Sequence, residues 1–282
     1  MIEKLSRFLF GNSRIVLWGL TLVTLLLVFQ ASRLAIDAGF EKQLPKNHPW
    51  MEVFREYQSQ FGGANRLLIA VRNREGDLFN PDSLEKVRLV TRALGAVPGV
   101  DRSSITSIFT PNVRFVRIVE GGFEGGNVVP ADWQPTEEMA QLVRENVLQS
   151  GQVGRLVAND FSAAMVSARL IETDPETGEA PDPIEVGAHL EELIRVPYVD
   201  DQVDIHMIGF SKAVHDIASG AIWVAAFFLI ALAVTAVFVR GFTRSWQLTL
   251  LPLATSLLAV VWTMGSITTL GYGLDPMSIL VP

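Results

Sequence analysis

The 282-residue chain has no cysteine, which excludes disulfide frameworks, thiolate metal sites and a cysteine nucleophile. Histidine is nearly as scarce. His48, His189, His206 and His215 are scattered, without the H-E-x-x-H spacing that places two ligands on one helix face. No G-x-x-x-x-G-K-[ST] run occurs, so the usual phosphate loop of an ATPase is missing. No serine lies in a G-x-S-x-G setting, and no spacing ties a histidine to Ser103, Ser104 or Ser211. Neither an enzyme, a metal site nor a cofactor is expected. Charge is sparse as well, at 19% of residues against 49% hydrophobic, and mean hydropathy is +0.30. That excess of apolar residues points to membrane segments. The net charge of −7 argues against nucleic acid as a partner.

The charge is unevenly placed. Residues 34–216 hold 17 Lys and Arg against 28 Asp and Glu, a net of −11, and the rest of the chain holds 6 against 2, a net of +4. Three long runs in the basic part lack ionisable residues: Ile15 to Ala31, Ile217 to Val239 and Trp246 to Leu274. About 20 apolar residues at 1.5 Å each cross a ~30 Å hydrocarbon layer. Spans are expected at 15–36 (with Arg33 snorkelling), 217–239 and 246–272. Phe29 is too bulky for the −3 position of a signal-peptidase site near Ala31, so the first run reads as an uncleaved anchor. The closing stretch 275–282, opened by Asp275-Pro276, reads as the start of a truncated fourth span. Lys4, Arg7 and Arg14 precede the first span, and Arg240 and Arg244 separate the second from the third. The positive-inside rule then makes 1–14 and 240–245 cytoplasmic and puts 37–216 outside, in the periplasm of a bacterial inner-membrane protein.

Within 37–216, helical periodicity appears over Pro49 to Phe61, from Asn80-Pro81 to Leu94, from Thr136 to Leu148 and over Ile184 to Ile194. Strand patterns appear over Arg66 to Val71, Ile105 to Val119, Ala163 to Leu170 and Val203 to Ile208, and Leu156 to Phe161 reads as a further strand turning at Asn159-Asp160. Such alternation predicts an α+β membrane protein whose outer domain is built of split-βαβ (ferredoxin-like) pieces, in two βαβ-type halves near 49–119 and 136–209. Gly121-Gly122 and Gly125-Gly126 read as a mobile surface loop. Asp174, Glu176, Glu179, Asp182 and Glu185 lack the alternate-residue spacing of a calcium loop and read as a solvated loop, and Asp200, Asp201 and Asp204 read as a charged turn before a strand. His206 reads as a strand residue facing solvent or a domain interface. His215 and Asp216 read as polar residues at the membrane boundary. Small residues such as Ser219-Gly220-Ala221 and Gly265-Ser266 would let helices approach closely.

The stretch Ile208-Gly209-Phe210-Ser211-Lys212-Ala213-Val214-His215-Asp216-Ile217 resembles the strand-glycine-helix junction feeding the second span of the resistance-nodulation-division (RND) superfamily, on its MMPL-type and hopanoid-exporter-like branch. The Arg240-to-Arg244 turn and Gly271-Tyr272-Gly273-Leu274-Asp275-Pro276 are similar to that branch too. The resemblance implies a porter domain in a proton-motive-force-driven exporter of hydrophobic or amphiphilic substrates, with the lipid bilayer, further copies and periplasmic proteins as partners. It places the proton-relay residues in the middle of a fourth span, beyond Pro282. Phe109, Phe115, Phe123 and Trp133 could line a substrate cleft, although core packing explains each, and no substrate-binding residue is assigned. The alternative is a membrane-anchored periplasmic ligand-binding or sensor protein without transport activity.

Overall fold

A computed structural model describes residues 11–34, 48–61, 65–173 and 178–273. The chain divides into two compact units, Met1–Gly39 with Ile217–Pro282, and Phe40–Asp216.

The first unit holds helices α1 (Ser13–Ala31) and α8 (Trp246–Thr269) and most of a 34-residue helix, Phe210–Thr243, numbered α7 below. Among the described residues, three helices are long and apolar enough to cross a membrane: Ser13–Ala31, Ala226–Thr243 and Trp246–Thr269. Their outward apolar side chains are exposed, Trp18 and Phe227 among them, as lipid-facing positions are. Threonine hydroxyls along α1 turn back onto the helix, Thr21 Oγ1 donating to the Leu17 carbonyl and Thr24 Oγ1 to that of Leu20, both at 2.8 Å. The helix ends differ from the expected spans. α7 runs on to Thr243, so Arg240 belongs to its last turn, with its guanidinium 5.3 Å from the Trp246 ring. Only Arg244 and Ser245 connect α7 to α8, and Arg244 takes φ 52, which makes so tight a reversal possible. Residues 1–10, 35–36 and the expected fourth span at 275–282 lie outside the described residues.

The second unit contains helix α2 (Pro49–Phe61), strand β1 (Arg66–Asn73), helix α3 (Pro81–Leu94), strand β2 (Val100–Thr106), a hairpin of β3 (Arg114–Val119) and β4 (Gly122–Asn127), and helix α4 (Glu137–Ser150). Strand β5 (Ala163–Leu170) follows, then helix α5 (Pro183–Leu190), a π-helical turn (Glu191–Arg195), helix α6 (Val196–Tyr198) and strand β6 (Val203–Ile208), which leads into α7. Local chemistry sets the helix starts. Asn80 accepts from the Ser83 N–H at 2.8 Å ahead of Pro81, Thr136 from Met139 at 3.3 Å, and Asp182 from Ile184 at 2.8 Å ahead of Pro183.

Four strands form one sheet in the order β2-β5-β1-β6, with every described neighbour pair antiparallel. β1, α3 and β2 make one βαβ unit, and β5, α5 and β6 make a second. Each unit's two strands are parallel and separated by a strand of the other. This is the split β-α-β-β-α-β topology, so the two halves expected near 49–119 and 136–209 share a single sheet. The β3–β4 hairpin and α4 are inserted between β2 and β5. One sheet face carries the core: Leu67, Ile69 and Val71 of β1 and Ala164, Val166 and Ala168 of β5 pack beneath Leu84, Val87 and Val90 of α3. Burying each of these leucine, isoleucine and valine side chains contributes ~1.5–3 kcal/mol.

Several expectations change. Gly121, Gly122, Gly125 and Gly126 do not form a loop. Gly121, at φ 99, sits in the hairpin turn, and Gly125 and Gly126 lie inside β4. Gly126 pairs with Phe115, and a Cβ there would stand 3.3 Å from the Phe115 ring, so the aromatic covers the bare strand. The strand expected over Ile105 to Val119 is broken at Ser107–Val113, where Thr110 N–H bonds to the Ser107 carbonyl at 3.1 Å and Val113 N–H to that of Thr110 at 3.0 Å. Leu156 to Phe161 is not a regular strand. It meets β5 only through Ala158 N–H on the Ala163 carbonyl and Met165 N–H on that of Leu156.

Candidate functional site

The face of the sheet opposite the core carries no described helix and stays exposed or half-buried. Period-two alternation sends Arg66, Leu68, Ala70 and Arg72 of β1 and Ala163, Met165, Ser167 and Arg169 of β5 to this side. Hydrogen bonds fix how they meet. Leu170 N–H reaches the Asn65 carbonyl at 2.9 Å and Asn73 N–H that of Ser162 at 2.8 Å. Arg66 and Arg169, in register between such pairs, therefore form a non-hydrogen-bonded pair, the kind in which facing side chains stand closest.

A groove opens beside them. The register of β2 against β5 shifts between Asp101 and Thr106, a bulge that lifts β2 away from its neighbour. Arg169 N–H, aimed at this edge, is satisfied by Ser104 Oγ at 2.8 Å, and Ser104 Oγ donates to the Asp101 carbonyl at 2.6 Å. Farther along the same edge of β5, the segment after Gly154 (φ 79) brings Arg155 and Leu156 alongside. The resulting groove is about 390 Å3 and is lined by Arg66, Arg155 and Arg169 with Leu68, Met165 and Ser104, without an Asp or Glu. Asp101 faces Arg169 across the register, but it accepts from the Ser103 hydroxyl at 2.6 Å and the Ser103 N–H at 3.0 Å. Those bonds, with the Arg169 charge, hold its carboxyl below the usual range.

Several cations elsewhere in this unit are paired. Arg74 meets Asp204 at 2.6 Å, Lys86 pairs with Asp200, and Arg144 meets Asp77 at 3.3 Å. Lys212 is 4% exposed, held by Glu191 of the π turn at 2.8 Å and by Asp216 one helical turn on. Beside it, His215 Nδ1 donates to the Ile184 carbonyl at 3.1 Å. Gly187 lets the first turns of α7 lie directly on α5, because a Cβ there would run into the His215 side chain. A second concavity, about 610 Å3, is acidic, with Glu75, Asp82, Glu137 and Asp201 around it. Among the described residues, no three His, Asp or Glu side chains are grouped so as to hold a metal ion.

The residues singled out from sequence scatter over these places. Ser103 and Ser104 line the groove, His206 is exposed on the same sheet face, and Ser211 is buried in the first turn of α7. Asp182 caps α5, whereas Asp174 and Glu176 lie outside the described residues. Phe109, Phe115, Phe123 and Trp133 do not share a cleft. Phe109 and Trp133 pack edge-to-face, 5.5 Å between centroids, against the core; Phe115 is buried; and Phe123 is 79% exposed on the hairpin. The arginine groove was missed, although its signal exists as basic residues at alternate positions of two strands, hidden until pairing is known. No protein-family model matches the chain, and no curated protein matches it either.

Proposed function

We propose that the chain is the N-terminal part of a proton-motive-force-driven, RND-type exporter of hydrophobic or amphiphilic molecules in a bacterial inner membrane. The observation that carries the reading is the position in sequence of the split-βαβ domain: it lies between the first apolar helix and two further apolar helices joined by two residues. The basic residues at Arg14, Arg240 and Arg244, next to the apolar helices, support a cytoplasmic side there and so the other side for the domain between the first two. Substrate would reach the domain from outside the cytoplasm, and proton coupling would need titratable groups within the membrane. The alternative is an anchored binding protein, for which the arginine groove would act without transport.

Inside-out vesicles containing the full-length natural protein provide the test, with a lipophilic fluorescent dye as the transported probe. Energised vesicles should move the dye, and a protonophore should stop them. Movement no faster than in vesicles without the protein would overturn the exporter reading and leave the anchored binding protein. For orientation, a reporter active only in the periplasm should work when fused after Gly178 and fail after Gly241.

A further inference from the structure

The arginine groove has three features that packing does not explain. Arg66 and Arg169 oppose each other as a close cross-strand pair, an arrangement that raises the energy of the empty sheet. Arg66, Arg155 and Arg169 make no side-chain hydrogen bond or ion pair with any described residue, although the domain around them carries an excess of carboxylates. The groove floor beside them is apolar and half-open, with Leu68 and Met165 each partly exposed and Leu156 behind them.

We propose that this groove binds an oxyanion carried on an alkyl chain, a phosphate- or carboxylate-headed amphiphile. The charged head sits between the guanidiniums of Arg66, Arg155 and Arg169, whose planar forks donate pairs of hydrogen bonds to oxyanions. The first methylenes of the chain cover Leu68 and Met165. A bound anion turns the repulsion between Arg66 and Arg169 into attraction toward a shared partner. At about 390 Å3 the groove takes a head and a short stretch of chain, with the remainder passing out over the open sheet face. Such a site would serve a pump and an anchored receptor equally, so it stands apart from the transport proposal.

Calorimetric titration of the full chain in zwitterionic phosphatidylcholine nanodiscs, with no proton gradient, tests this. Hexyl phosphate, inorganic phosphate and hexanol are the three probes. Hexyl phosphate should bind at least about tenfold more tightly than inorganic phosphate, since each buried methylene contributes roughly fourfold, and hexanol should not bind. Arg66→Gln and Arg169→Gln should each weaken hexyl phosphate by about tenfold or more. Arg66→Lys should recover part of that, since it keeps the charge and loses the fork. All three positions are exposed, so the variants should keep the fold, with circular dichroism as the check. Repeating the titration in nanodiscs containing phosphatidylglycerol separates the sources: weaker apparent binding supports a lipid headgroup as occupant, and unchanged binding supports a water-borne amphiphile. Equal affinity for hexyl and inorganic phosphate would overturn the amphiphile, and binding indifferent to both glutamine variants would overturn the site.

Discussion

Arg66 and Lys212 show two ways in which this fold places a cation. Lys212 is buried and flanked by Glu191 and Asp216, so its charge holds the start of α7 against the π turn. Arg66 is exposed, unpaired among the described residues and opposite another guanidinium, so its charge works against the sheet. Like charges directly opposed across strands cost roughly 0.2–1 kcal/mol. Arg66→Gln should accordingly raise the melting temperature of the ligand-free chain, by about 1–3 °C for a domain of this size. Thermal unfolding in detergent without added anions measures it, and a lower melting temperature would mean that Arg66 already has a stabilising partner. Arg169 is the less clean choice, because Asp101 faces it on the other side.

At the scale of elements, the contact between α1 and α8 turns on one glycine. A Cβ on Gly265 would run into the Leu27 carbonyl, and nearby Trp262 Nε1 donates to Thr24 Oγ1 at 3.1 Å. Close approach of this kind is how helices associate where lipid is as apolar as leucine. Gly265→Leu should push the helices apart and break the Trp262–Thr24 bond, at a cost of about 1–3 kcal/mol from overpacking. Disulfide trapping between cysteines placed on α1 and α8 reads this out cleanly in a chain without native cysteine, and unchanged trapping would rule the glycine out as the contact point. The small-residue pattern made Gly265 legible in advance, whereas Gly220 has open space around it. Helix starts were legible for the same reason at Asn80-Pro81 and Thr136, which act through their own neighbours, whereas Asp182, which reads as a solvated loop residue, turns out to cap α5. Strand partners were not, because alternation says which face a residue takes and nothing about which strand lies beside it. The groove was hidden with them, since Arg66 and Arg169 become neighbours only through register. The glycines of β4 misled because a strand without side chains owes its order to Phe115 opposite. The π turn, too, leaves no periodic mark in sequence.

At the scale of the whole molecule, acid should unfold the split-βαβ domain before base does. Arg88 and Trp133 lower the Glu85 carboxyl, the Ser103 hydroxyl lowers Asp101, the Ser162 hydroxyl lowers Asp160, Lys86 lowers Asp200 and Arg74 lowers Asp204. For a group whose folded pKa is depressed, stability is present above its unfolded pKa and lost as pH falls through the folded one. With unfolded carboxylates near 4, the melting temperature should hold flat from neutrality to about pH 5 and then drop steadily below about pH 4. A melting temperature that rises on acidification across that window would refute the account.

The interleaved sheet has a consequence for synthesis. β1 is finished at Asn73, but its partners β5 and β6 are completed only at Leu170 and Ile208. At 5–20 residues per second, the ribosome needs on the order of ten seconds to supply them. Through that interval Leu67, Ile69 and Val71, an apolar strand with both edges bare, have α3 to pack on once Leu94 is made but no strand to pair with. The nascent chain is therefore most vulnerable to aggregation and proteolysis early, and a stall between residues 73 and 163 would prolong that exposure.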